Sequence, residues 1–175
     1  MLRAFSLIVI GFVLLTACNQ DSGLFDPEKQ KERDIETLQK HFAEKGLSPQ
    51  YHNKGLFYII HEPGSGRIPT AGNTLVVNYT GYFLDGRVFD TSLEQVARTA
   101  GIFNPARNYV PFTFRFRNNP PQVIEGWDIG FEFLKENGRA TLFLTSGLGY
   151  GNRPVGSIPP NSILVFDVEL LQVRP

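Results

Sequence analysis

Residues 123–134 read VIEGWDIGFEFL, and, apart from an insertion at 92–110, they are the stretch of the span 55–175 that lacks the two-residue alternation of a β-strand. On either side lie LFYIIH (56–61), TLVVNYTGYF (74–83), RVFD (87–90), PFTFRF (111–116), RATLFLT (139–145) and SILVFDVELLQV (162–173), all with strand composition or period. Asp85-Gly86 supplies the turn between the second and third of these. Phe112, Phe114 and Phe116 share one face. Leu164, Phe166, Val168 and Leu170 point one way while Asp167 and Glu169 point the other, as an antiparallel sheet with one wet face requires. The segment 123–134 then has the length of a short helix that covers the apolar face. Trp127, the chain's only tryptophan, falls between helix and sheet. The order predicts an α+β fold.

Upstream, DPEKQKERDIETLQKHFAEKG (26–46) carries Asp26 as N-cap, Pro27 at the first helical position and Gly46 past the end, which predicts a helix over 27–45. Ile35, Leu38 and Phe42 form a narrow apolar stripe on it. Three partners fit that stripe: the domain that follows, a second copy in a homodimer through residues 27–45, or none, on a solvated spacer. The sequence leaves them open. SPQYHNK (48–54) reads as a polar linker, so residues 27–54 are helix and linker and residues 55–175 the main domain. Residues 92–110, SLEQVARTAGIFNPARNYV, keep neither period and read as an insertion.

The first residues have Arg3, an apolar run through Leu15 and small residues before Cys18, the pattern of a secretory signal over 1–17 that is too short to span a membrane. Leu15-Thr16-Ala17-Cys18 resembles a bacterial lipobox. The resemblance implies acylation of Cys18, a lipidated tether over 18–26, and a lipid-anchored place at the cell envelope outside the cytoplasm, at the outer membrane or the periplasmic face. Cys18 is also the sole cysteine, so no internal disulfide can form. With 17 Lys+Arg against 17 Asp+Glu and no basic stripe, nothing points to nucleic acid. His41, His52 and His61 lack close metal-ligand spacing, and Ser146 in TSGLGYG misses the nucleophile elbow and has no lysine for phosphate. Neither metal nor cofactor is expected.

What remains is a set of large apolar side chains with single polar handles. VNYTGYFLDGRVFDTS, PFTF, QVIEGWDIG, GYG and SIPPNSILVFDVELL, in that order, resemble the FKBP-type peptidyl-prolyl cis-trans isomerases over residues 55–173. The resemblance implies an antiparallel sheet half-wrapped around a short helix, a proline-binding cavity between them, and proline-containing polypeptides as partners. It places Trp127 at the cavity floor, Tyr79, Phe89, Phe112 and Phe166 in the walls, Val123 and Ile124 at the rim, and Ile158 in a flap. It also implies that the Ile124 backbone N–H bonds a substrate carbonyl. The Tyr150 hydroxyl would point at the reacting carbonyl with Asp90 helping to orient it. Gln122 stands where the family often has glutamate, and the insertion would reshape or cover the cavity entrance.

Overall fold

The computed structural model describes residues 25–175. The signal and tether readings, Cys18 included, therefore lie outside the described residues.

Helix α1, Pro27–Lys45, starts where the Asp26 side chain accepts from the backbone N–H groups of Glu28 and Lys29, and stops at Gly46 with φ 64°. The strands are β1 Gln50–His52, β2 Leu56–Glu62, β3 Thr74–Tyr82, β4 Val88–Thr91, β5 Phe112–Arg115, β6 Gly138–Leu144 and β7 Leu164–Arg174. Helix α2, Glu94–Thr99, follows β4, and helix α3, Glu125–Gly130, follows β5. All strands join one antiparallel sheet of order β1-β2-β6-β7-β3-β4, with β5 also on β3. The first half of β3 pairs with β5 (Thr74↔Arg115 to Val77↔Phe112) and the second with β4 (Thr80↔Thr91 to Tyr82↔Val88). The α+β, FKBP-like fold with an extra N-terminal helix is the one the sequence predicts.

Register turns the alternation into two cores. Leu56, Leu144 and Leu164 stand side by side across β2, β6 and β7, and so do Phe57, Phe143 and Val165. The leucine row faces α3 and belongs to the main core with Leu142, Phe166, Leu170 and Trp127. The next row faces the other way and is covered by Leu38 and Phe42 of α1, with Ile35 packed alongside. Of the three partners open to the α1 stripe, the structure realises the chain's own sheet. The expectation of one wet face is corrected accordingly: the outer face is dry beneath α1. It becomes polar only farther along, where Thr141 donates to Asp167 at 2.6 Å and His61 Nε2 lies 2.8 Å from Thr141 Oγ1.

Two further segments differ from the sequence reading. The polar stretch 48–54 contains β1, an edge strand whose side chains stay partly in water, so hydrophobicity gives no signal for it. The 92–110 insertion is ordered by α2 and by a ring pair, with Phe103 stacked on Tyr109 at 5.6 Å and the Arg98 guanidinium 3.5 Å from the Phe103 centroid.

Candidate active site

Helix α3 can hold Trp127 against the sheet because two of its residues, Gly126 and Gly130, have no side chains. A Cβ at Gly126 would lie 2.1 Å from Leu144 Cδ2, and one at Gly130 would lie 2.5 Å from Leu142 Cδ1. The helix thus rests directly on β6. Around the indole stand five rings: Tyr79 at 5.2 Å, Phe166 at 5.4 Å, Phe131 at 5.6 Å, Phe114 at 5.8 Å and Phe112 at 6.0 Å. Most meet it edge-on, the arrangement that ring quadrupoles favour.

Above this floor opens a cavity of about 420 Å³ lined by Tyr79, Phe89, Asp90, Phe112, Pro121, Gln122, Val123, Ile124, Trp127, Tyr150 and Phe166. Of the ten residues that the resemblance assigns to the cavity, nine line it. Ile158 is not among the lining residues; it is buried in the same core cluster as Trp127, Tyr79 and Phe166 and bridged to Val155. Phe89 and Phe166 meet edge-on at 5.6 Å over Gly81, where a Cβ would lie 2.6 Å from the first ring and 2.8 Å from the second. Gln122 does not act as a wall charge; its Oε1 accepts from the Arg115 N–H at 2.8 Å and ties the rim to β5.

The polar side of the cavity differs from expectation. Tyr79 donates its hydroxyl to Asp90 Oδ2 at 2.6 Å, the Thr91 N–H donates to Asp90 Oδ1 at 2.9 Å, and Arg107 Nη1 donates to the same oxygen. Arg107 Nη2 also donates to the Tyr79 oxygen at 3.2 Å. Asp90 thus orients Tyr79 and Arg107, and no hydrogen bond joins it to Tyr150 among the described residues. Burial, helped by the Asp90 carboxylate, pushes the Tyr79 phenol up to about 12 against the pull of Arg107. Burial first, and the Asp90 charge second, also raises the Tyr150 phenol above its usual value. Both hydroxyls therefore keep their protons at neutral pH.

Arg107 was not singled out in the sequence. It comes from the insertion, and one arginine in a polar stretch carries no pattern that marks it. No residue of 92–110 is among those lining the cavity, and the insertion reaches its polar side through Arg107 on Asp90 and Tyr79. The Ile124 N–H, at the start of α3, makes no hydrogen bond among the described residues, while the Ile124 carbonyl accepts from Trp127 N–H at 3.0 Å. Among those residues no cluster of His, Cys, Asp or Glu is arranged to hold a metal ion.

An antiparallel sheet curled on a short helix, with an aromatic cavity floored by tryptophan, defines a class. Residues 65–171 match the FKBP-type peptidyl-prolyl cis-trans isomerase family, and the chain belongs to it. It is 37% identical over 150 residues to the FKBP-type peptidyl-prolyl cis-trans isomerase FkpA of Escherichia coli strain K12, covering 86% of this chain and 48% of that one. A probable FKBP-type peptidyl-prolyl cis-trans isomerase of Haemophilus influenzae is 35% identical, over 84% of this chain and 54% of its own length. The chain thus spans about half the length of the curated relatives it matches. The crystal structure of FkpA from Escherichia coli superposes with a TM-score of 0.64 at 37% identity, covering 86% of this chain and 62% of the other. That of AtFKBP13 gives 0.58 at 28% identity, covering 72% and 98%.

Proposed function

We propose that this chain catalyses cis–trans isomerisation of X–Pro bonds in exported polypeptides. The observation that carries the reading is the hollow over Trp127. Rotation about an X–Pro bond meets a barrier of roughly 20 kcal/mol because the amide loses its resonance as it twists. No bond is broken, so the site needs no nucleophile; it needs only to bind the twisted amide better than the planar forms. A planar amide is strongly dipolar and is well hosted by water, whereas the twisted amide is less so. The ring-lined cavity withholds that solvation from the planar states. Ile124 and Tyr150 line the same hollow, and in this reading the Ile124 N–H and the Tyr150 hydroxyl bond carbonyl groups of the bound segment.

The test is turnover of a proline tetrapeptide in a protease-free assay. The purified chain accelerates isomerisation, and Tyr150→Phe and Asp90→Ala are each slower; rates equal to the uncatalysed background overturn the reading. A second reading is a chaperone or docking module that grips apolar segments in the same groove. It is favoured by the exposure of Phe112, 40%, and Tyr150, 37%, at the cavity. Suppressed client aggregation without turnover selects it.

The proposal extends to location. The apolar run ending at Leu15-Thr16-Ala17-Cys18 supports export and attachment to the cell envelope through lipid on Cys18. Labelled palmitate enters the wild-type protein and not Cys18→Ser; equal labelling of both overturns the anchor.

A further inference from the structure

Helix α1 lies wholly outside the residues, 65–171, that match the isomerase family, yet it reaches the turn that carries Tyr150. The link is Asp34, a carboxyl group only 3% exposed. Its Oδ2 accepts from both the backbone N–H and the hydroxyl of Ser146, at 2.7 and 2.6 Å, and Ser146 is itself 1% exposed. Its Oδ1 accepts from Gln30 Nε2 at 2.7 Å, one helical turn earlier. Burying an acidic side chain carries a heavy desolvation cost unless it is fully bonded, so the arrangement must be held in one geometry.

Ser146 then passes that geometry on. Its carbonyl accepts from the N–H of Gly149 at 3.0 Å and of Gly151 at 2.8 Å, the residues on either side of Tyr150. The Gly151 carbonyl accepts from Asn161 N–H at 2.8 Å, which extends the chain of bonds to the segment around Ile158. Leu148 of the same turn is buried in the core that holds Trp127. The glycines flanking Tyr150 give the turn little stiffness of its own, so its shape depends on what Ser146 is fastened to.

We propose that Asp34 is a positioning residue for the isomerase reaction: through Ser146 it fixes the Tyr150 turn, which makes α1 part of the catalytic apparatus and not only a cover for the sheet. This rests on the isomerase reading of the cavity. It predicts a split between binding and turnover, because the aromatic floor and walls do not depend on Asp34 whereas the placement of the Tyr150 hydroxyl does.

The experiment compares the full chain with Asp34→Ala, Asp34→Asn and Ser146→Ala, by peptide kinetics and by amide hydrogen exchange. Displacing a reacting group by an ångström costs up to about a hundredfold, so Asp34→Ala is expected to lower kcat by about tenfold with KM within about twofold. Asparagine keeps an oxygen that can accept from both Ser146 donors, so Asp34→Asn restores most of the turnover. Exchange at Gly149 and Gly151 is faster in the alanine variant, near wild type in the asparagine variant, and unchanged in β6 and β7. Where Asp34→Ala does not fold, Ser146→Ala decides, since it keeps the backbone bond and loses only the hydroxyl bond. It should show a smaller loss of kcat and a smaller gain in exchange. Wild-type kcat and exchange in the folded Asp34 variant, or in Ser146→Ala where it must decide, overturn the proposal, as does a loss confined to KM. A wild-type chain without turnover removes the isomerase reading instead, and the exchange rates still decide whether Asp34 fixes the turn.

Discussion

Replacing Phe42 with alanine removes the ring that closes the outer core. Phe42 is 6% exposed, its centroid is 5.1 Å from that of Phe57, and it meets Phe143 edge-on at 5.0 Å and 81°. Truncation of a buried phenylalanine costs about 3–5 kcal/mol, within which each ring pair contributes about 0.5–1.5 kcal/mol. Because α1 is a single helix on an open sheet face it can settle partly into the gap, which places the loss near the lower figure, about 3 kcal/mol. In a chain of this size that corresponds to a fall in Tm of about 6–12 °C. Urea unfolding followed by far-ultraviolet circular dichroism and by Trp127 fluorescence reads it, since the indole lies on the opposite face of the sheet. If α1 belongs to the cooperative unit, both signals move together and their midpoint does not depend on protein concentration. A loss under about 1 kcal/mol, or a fluorescence midpoint that stays while the dichroism shifts, refutes the packing argument at a level where surface changes also lie. A midpoint that rises with concentration would mean that a second copy completes the stripe.

Other consequences follow from the cavity. Tyr150→Phe removes one hydroxyl with no hydrogen-bond partner among the described residues, so kcat/KM should fall about tenfold, or about 1.4 kcal/mol, with the Trp127 emission unchanged; an unchanged rate excludes the hydroxyl from the reaction. Gly81→Ala pushes a Cβ into the Phe89 and Phe166 rings and should raise KM about fivefold, by about 1 kcal/mol, the lower end of the cost of an overpacked site, whereas an unaltered KM removes those rings from the binding walls. Arg107→Met leaves the Asp90 and Tyr79 groups without their cation and should lower peptide affinity in Michaelis–Menten kinetics more at low than at high salt; a salt-independent loss would mean lost packing alone. The Tyr79 phenol is raised to about 12 from a usual value near 10, so the folded state holds a proton that the unfolded state loses first. That contribution is complete below pH 10 and disappears as pH rises toward 12. Denaturation between those values should show a slope that shrinks in Tyr79→Phe, with Tyr82 and Tyr150 accounting for what is left.

The strands facing Trp127 were legible because period two is all that a one-sided sheet requires, and the five ordered motifs fixed the cavity walls. What escaped was everything that depends on contact between distant segments. Val165 and Phe143 read as outward residues on alternating strands, and only the placement of α1 makes them core. The edge strand β1 has no hydrophobic face to announce it. Asp34 reads as one more charge on a charged helix, since nothing local distinguishes a carboxyl group that will be buried on Ser146. Ile158 resembles a cavity residue by motif, and the fold buries it in the same core as Trp127, Tyr79 and Phe166.

The same distinction bears on which donors the cavity offers. Tyr79, Asp90 and Arg107 are polar, but they satisfy one another, so their hydrogen-bonding capacity is largely used before any peptide arrives. The Tyr79 ring can then act as apolar wall while its hydroxyl is held. The Tyr150 hydroxyl and the Ile124 N–H are bonded to no described residue, and both groups belong to residues that line the hollow. On the proposed isomerase reading, a carbonyl that turns as the X–Pro bond twists would meet unbonded donors there, without first breaking an internal bond. That asymmetry would give an aromatic site with no nucleophile its means of favouring the twisted amide: planar states would lose water on entry, and the hydrogen bonds waiting for the twisted state would require no reorganisation of the protein.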